Sequence, residues 1–248
     1  MKTITITNQK GGTGKTTTAA AIAACLCARG KSVLLIDLDP QCNLTYACGA
    51  DPEGKTILEV LRGEISAIQA IRKSDAGDLI AASRGLSGAD TFIKDTGKEY
   101  RLAEALEPIR GKYSYVIIDT PPALGILTIN ALTASDSVLI PAQADIFSLQ
   151  GVEQLAETIR PVIKYCNPKL RIEGIVLTRY SARTILSRDV TELAEQLAAK
   201  LGTKVFSARI REAVAVRESQ ISRTPLPAYA PDANVTHDYE ALTDELVG

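Results

Sequence analysis

Short, almost unbroken apolar runs alternate along the chain with longer stretches whose apolar positions recur every three or four residues. The runs Thr3–Thr7, Ser32–Asp37, Leu79–Ala82, Tyr115–Asp119, Ser137–Pro141 and Ile172–Thr178 predict short buried strands. Between them Thr16–Arg29, Tyr100–Ile109, Leu149–Tyr165 and Leu186–Leu201 carry helical spacing. Strands alternating with helices build βαβ units, so the expected fold is α/β, a twisted, mostly parallel sheet with helices on both faces. Gly30 falls where the first helix should close, and Ser148 is placed to cap the helix that starts at Leu149. The stretch Gly77–Lys98, rich in Gly, Ser, Asp and Ala, predicts an irregular surface segment. No fixed-period repeat or low-complexity linker divides the chain, and residues 1–248 are read as a single domain.

Composition narrows the function classes. The chain is 46% hydrophobic and 23% charged with a formal net charge of −1, which is ordinary for a globular protein. Only 4% is aromatic and Trp is absent, which argues against a platform that stacks single-stranded bases. No run of 18 apolar residues occurs and the N-terminus lacks a long apolar h-region, so a cytoplasmic protein without stable membrane insertion is expected. Five cysteines without CxxC spacing and a single histidine, His237, disfavour disulfides, a zinc site and a Ser-His-Asp triad. Cys25 and Cys27 read as small fillers on an Ala-rich helix. Charge is unevenly spread: residues 169–223 hold 11 Lys or Arg against 6 Asp or Glu, whereas residues 224–248 hold 5 acidic residues and no Lys or Arg.

The chemistry begins where the first strand runs into Asn8-Gln9-Lys10-Gly11-Gly12-Thr13-Gly14-Lys15-Thr16-Thr17 and then an Ala-rich helix. Strand, glycine loop and helix N-terminus together turn backbone N–H groups onto a phosphate, and a triphosphate is the natural guest. The ordinary phosphate-loop pattern would place Gly at position 9, which is Gln9. What is met is a variant with a second lysine, Lys10, while Lys15 and Thr16 keep their usual roles on the β- and γ-phosphates and on Mg²⁺. Gly11, Gly12, Thr13, Gly14 and Thr17 complete the nucleotide-binding set of a P-loop NTPase. Two further strands end in carboxylates at the edge where ligands of open α/β sheets bind, one at Asp37 and Asp39, the other at Asp119. Asp119 has the form of a Walker B residue that orients Mg²⁺. Asp37 and Asp39 both qualify to orient an attacking water, and the position beside Pro40 favours Asp39.

These residues carry a family resemblance. Lys10 to Thr17, Asp37-Leu38-Asp39-Pro40-Gln41, Ile118-Asp119-Thr120-Pro121-Pro122 and Val138-Leu139-Ile140-Pro141-Ala142-Gln143 resemble, in order and spacing, four motifs of the ParA/Soj/MinD ATPases with the deviant Walker A. The segment Leu124–Leu132 resembles the one that follows Walker B in ParA-type partition proteins, and the likeness runs from Met1 to about Leu246. The resemblance implies an ATP-dependent homodimer in which Lys10 reaches the phosphates held by the other subunit. In it Asp39 polarises the attacking water beside Mg²⁺, and Asp119 to Gly125 forms the second switch. It implies slow ATP hydrolysis stimulated by a ParB-like or other cargo adaptor, and a dimer that binds non-specific duplex DNA on the nucleoid to position DNA or protein cargo. Arg183 resembles a DNA-contacting position of Soj-type proteins, and Arg209, Arg211, Arg217 and Arg223 are its expected neighbours on a basic patch. Cys42 departs from the family, which usually has Gly there, and is expected to stiffen the first switch.

Three other readings compete. A MinD-like membrane-associated ATPase needs a basic amphipathic C-terminal helix, and residues 235–248 are acidic. A reductase like the nitrogenase iron protein needs Cys soon after the Walker B strand, and none occurs between Asp119 and Cys166. An ATP-dependent DNA-binding regulator remains, without the helix-turn-helix before the first strand that operator recognition would need.

Overall fold

All six expected strands form, and two that the apolar pattern did not reveal join them at the edges. The structure, a computed structural model, describes residues 1–182 and 185–248, of 185 and 186 the backbone alone. Its strands are β1 Lys2–Ile6, β2 Val33–Asp37, β3 Ile71–Arg72, β4 Asp78–Ile80, β5 Tyr115–Asp119, β6 Ser137–Gln143, β7 Arg171–Thr178 and β8 Val205–Ile210. They form one sheet in the order β3-β4-β2-β5-β1-β6-β7-β8, parallel throughout except for β3 against β4. Both unexpected strands lie on the rim, where one side of the backbone ladder needs no partner and a continuous apolar run is not required. β3 has only two residues, and β8 interleaves Ser207 and Arg209 with buried Phe206 and Ile210.

Alternation along the strands divides the apolar side chains between two faces. Ile4, Ile6, Val33, Leu35, Leu139 and Val176 face a layer made by helices Lys15–Ala28 and Asn234–Val247. Leu34, Ile36, Val116 and Ile118 face helices Ile57–Arg62, Arg101–Leu106 and Ile126–Thr133, and Val138, Ile140 and Leu177 face helices Ile146–Tyr165 and Ile185–Lys200. Helix Lys15–Ala28 is apolar on nearly every side because it lies between the sheet and the C-terminal helix, with Ala19, Ile22, Ala23 and Leu26 fully buried.

Gly30 ends the first helix as expected, with φ +72° and its N–H bonded to the Cys27 carbonyl. Three expectations need correction. Ser148 is not the N-cap of its helix, which begins at Ile146: Asp145 caps it, accepting from the Ser148 N–H at 2.8 Å. The helix expected over Tyr100–Ile109 is α-helical only from Arg101 to Leu106, with tighter 3₁₀ turns at either end. The segment Gly77–Lys98 is not a surface excursion, because its Leu86, Ala89 and Ile93 are buried under the sheet.

Candidate functional site

The glycine loop leaves β1, the strand where the chain order reverses, with β2 to β5 on one side and β6 to β8 on the other. Such a switch point opens a crevice at the carboxyl ends of the strands. Gly12 and Gly14 take φ +76° and +87°, a left-handed backbone that a side chain would strain, and helix Lys15–Ala28 starts at once. Neighbouring strands brace the loop. Gln143 Nε2 donates to the Gly12 carbonyl at 2.6 Å, and Thr178 Oγ1 donates to the Thr13 carbonyl at 2.9 Å. Asn8, fully buried, donates to the Pro141 carbonyl at 2.7 Å and accepts from the Lys10 N–H. Sequence reasoning missed Thr178 as a site residue, although its place at the end of a parallel strand was the available signal.

Lys15, only 7% exposed, reaches the Lys10 carbonyl at 3.1 Å. Burial lowers its pKa, opposed by the carboxylates of Asp119 and Asp39. Thr16 Oγ1 donates to Asp119 Oδ2 at 2.7 Å, while Asp119 Oδ1 is buried without a hydrogen-bond partner among the described residues. Burial, and then the nearby Asp37, push the Asp119 carboxyl well above the ordinary range. A hydroxyl and a carboxylate oxygen left without a partner, both hard oxygen donors, fit a hydrated Mg²⁺.

The structure separates the two candidate water-orienting carboxylates. Asp37 is fully buried, and its oxygens accept from the Asp39 N–H, the Thr45 N–H and the Thr45 hydroxyl. Burial pushes its pKa up to about 6. Asp39 lines the cavity beside the loop and accepts the Gln41 N–H at 2.9 Å. Cys42 has φ +58° and is completely buried. Lys10 does not line the cavity of its own chain. Its ammonium lies 2.8 Å and 2.9 Å from the two carboxylate oxygens of Asp145 and 5.9 Å from the centre of the Phe147 ring, which is 71% exposed.

The cavity measures about 410 Å³. One end is the glycine loop, and the other is walled by Ile210, Ala213 and Val216 with Arg179, Gln220 and Tyr239. Gln220 Nε2 also donates to Thr17 Oγ1 at 3.0 Å. An anionic group at the loop and a flat apolar group at the far end together describe a nucleotide.

The arginines expected to form a basic patch have different surroundings. Arg183 lies outside the described residues. Arg209 is half-buried with its guanidinium 5.9 Å from the Tyr180 ring, and Arg223 sits 5.9 Å from the Tyr46 ring. Arg211 and Arg217 line the cavity instead. The acidic C-terminal stretch is not a free tail. It forms helix Asn234–Val247, where Asp238 pairs with Arg211, Asp244 with Arg29 and Glu245 with Lys204. Two of these pairs, those of Arg211 and Lys204, join the basic segment to the acidic one.

Among the described residues no helix is long and apolar enough to cross a membrane. A sequence-family profile described as an AAA domain matches residues 1–172, which hold the phosphate side of the cavity, while the opposite wall comes from residues 178–239 beyond it. The chain is 41% identical to the sporulation initiation inhibitor protein Soj of Bacillus subtilis, covering 99% of this chain and 98% of that protein. It is 40% identical to the chromosome partitioning protein ParA of Caulobacter vibrioides, covering 100% and 94%. The structure of cobyrinic acid a,c-diamide synthase from Mycobacterium smegmatis with bound ADP and magnesium superposes with a TM-score of 0.85 at 35% identity, covering 98% and 93%. With the braced glycine loop, the two lysines and the Thr16–Asp119 pair in these places, the chain belongs to the Soj/ParA family of partition ATPases.

Proposed function

We propose that the protein hydrolyses ATP with Mg²⁺ and uses nucleotide binding to assemble a homodimer on duplex DNA without sequence preference. A ParB-like or other cargo adaptor would reset it by stimulating a slow hydrolysis, positioning DNA or protein cargo on the nucleoid in the cytoplasm. The observation that carries the nucleotide reading is the Thr16–Asp119 pair at the mouth of the glycine loop, with Asp119 Oδ1 lacking a partner among the described residues. Bound there, Mg²⁺ would neutralise charge developing on the transferred phosphoryl group. The N–H groups of Gly11, Gly12, Thr13 and Gly14, with Lys15, Thr16 and Thr17, hold the phosphates. Asp39 orients the attacking water, whereas Asp37, occupied by Thr45, holds the loop that carries Asp39.

Dimerisation is supported by Lys10, which its own cavity does not use and which an exposed Ile146–Phe147 step adjoins. Crossing to the partner's phosphates requires it to leave Asp145. DNA contact is proposed for Arg183, Arg209, Arg217 and Arg223, with Arg211 contributing least because Asp238 already neutralises it. Two subunits would double this modest set of charges. A membrane-associated cycle is disfavoured, because the C-terminal helix turns Tyr239, Leu242 and Leu246 into the core and keeps no free apolar face for a bilayer.

The test is sedimentation of the parent, Lys10→Ala and Asp39→Ala with Mg–ATP and a random-sequence duplex. The parent should cycle, Lys10→Ala should remain monomeric and off DNA, and Asp39→Ala should accumulate as an ATP-bound dimer on DNA. A parent that stays monomeric and free of DNA at saturating ATP overturns the proposal.

A further inference from the structure

Arg211, one of the arginines expected on the basic patch, is held in an unusual way. It directly follows β8, and its main-chain N–H and its guanidinium both bond to Asp238 on the C-terminal helix. The N–H and Nε lie 3.1 Å and 2.7 Å from Oδ2, and Nη2 lies 2.8 Å from Oδ1. The Asp238 carboxylate is 11% exposed and Arg211 is half-exposed, so the pair sits at a rim with the acid inside and the base outward. Nη1 carries no hydrogen bond among the described residues. The next residue, Tyr239, is buried, lines the same cavity and brings its hydroxyl to 3.5 Å from Thr18 Oγ1 on the phosphate-loop helix. Two consecutive residues of the C-terminal helix thus serve the cavity, Tyr239 as wall and Asp238 through Arg211.

An exposed Arg–Asp pair normally contributes little, because two long side chains must be ordered in high dielectric. Here the fork is bidentate, its acceptor is shielded, and a third bond fixes the backbone that carries the arginine, so the guanidinium plane is set before any ligand arrives. The phosphate end of the cavity is already supplied with cation and N–H groups by Lys15 and the glycine loop. The wall around Arg211 combines apolar Ile210, Ala213 and Val216 with the polar neighbours Glu212 and Gln220. A planar guanidinium beside such a wall suits the flat face of a base and the hydroxyls of a ribose.

We propose that Arg211 contacts the base–ribose half of the bound nucleotide and that Asp238 is its positioning residue, so that the C-terminal helix is part of the nucleotide site. The inference rests on the nucleotide reading above, and a second ligand separates the two. Calorimetric titration of the full chain with Mg–ADP and with inorganic triphosphate would compare the parent with Arg211→Ala, Arg211→Lys, Asp238→Asn and the Arg211→Ala/Asp238→Asn double variant. Arg211→Ala and Asp238→Asn should each weaken ADP about tenfold, equivalent to about 1.4 kcal/mol. The double variant should be no worse than the weaker single one, Arg211→Lys should not restore affinity, and triphosphate binding should stay within about twofold throughout.

A parent that binds neither ligand overturns the nucleotide reading itself. A parent that binds ADP while both single variants keep its affinity overturns this inference alone, even if Asp238→Asn lowers the melting temperature. Variants that lose ADP and triphosphate equally also overturn it, since that pattern reports damage to the glycine loop.

Discussion

Cys42 shows how one side chain records a backbone requirement. The chain turns left-handed directly after Asp39-Pro40-Gln41, at φ +58°, and the Cys42 N–H bonds to the Asp39 carbonyl at 2.9 Å. Glycine would adopt this conformation freely, whereas a β-carbon strains it. The buried thiol, whose pKa burial pushes up to about 11, donates to the Pro40 carbonyl at 3.4 Å and offsets part of that cost. Replacing Cys42 with Gly or Ala removes the thiol in both cases, and only Ala retains the strain. Cys42→Gly should therefore be more stable than Cys42→Ala by about 1 kcal/mol in urea denaturation, the reverse of the order in a helix. Equal stabilities, or Ala above Gly, would show that the turn relaxes out of the left-handed region. The sequence exposed the departure from the family at this position, but only the dihedral angle gives its physical meaning.

At the scale of elements, the site depends on how closely helix Ile146–Tyr165 approaches the base of the glycine loop. Gly151 sits mid-helix, and a β-carbon there would lie 2.9 Å from Asn8 Oδ1 and 3.5 Å from Lys10 Cβ. Asn8 has no room to retreat, being buried and bonded on both sides of its amide. Gly151→Ala would stabilise an isolated helix by about 1 kcal/mol. In this fold it should instead destabilise by about 1–3 kcal/mol through overpacking and weaken Mg–ADP binding, because the displaced residues carry the loop. A gain in stability with unchanged ADP affinity would show that the helix shifts outward without cost. The periodicity located this helix well, but the cap at Asp145 and the contact at Gly151 were not legible, since both depend on which distant strand the helix meets.

Across the whole molecule, the carboxylates gathered at the strand ends set a pH dependence. Asp37, raised to about 6, and Asp119, raised well above the usual carboxylate range, would titrate near about 3.9 in an unfolded chain. Between those values the folded protein binds protons that the unfolded chain does not, so stability is greatest at the acid end of the window and falls as pH rises through it. The nucleotide-free protein should lose stability from pH 5 to pH 7, by no more than about 1.4 kcal/mol per pH unit for each such group. The acids held low, Asp145, Glu59 and Glu245, act only below that window. Mg–ADP should flatten the slope. Urea midpoints at pH 5, 6 and 7 that stay level or rise would contradict this account.

The sequence by itself determined the alternation of strands and helices, the glycine loop with Lys10, Lys15 and Thr16, and the placement of Asp119 at a strand end. These are local: a short apolar run, a tight turn and a helix start are written in adjacent residues. It favoured Asp39 over Asp37 only by its place beside Pro40, whereas in the fold both oxygens of Asp37 are occupied and Asp39 faces the cavity. It placed five arginines in one basic segment, of which two turn to the cavity and two lie over tyrosine rings. It counted an acidic tail that the fold lays as a helix against β8 and the phosphate-loop helix, pairing Asp238 and Glu245 with the basic segment and Asp244 with Arg29. Pairing and burial of this kind join residues far apart in the chain, such as Arg211 with Asp238 and Thr16 with Asp119, and only tertiary packing selects them.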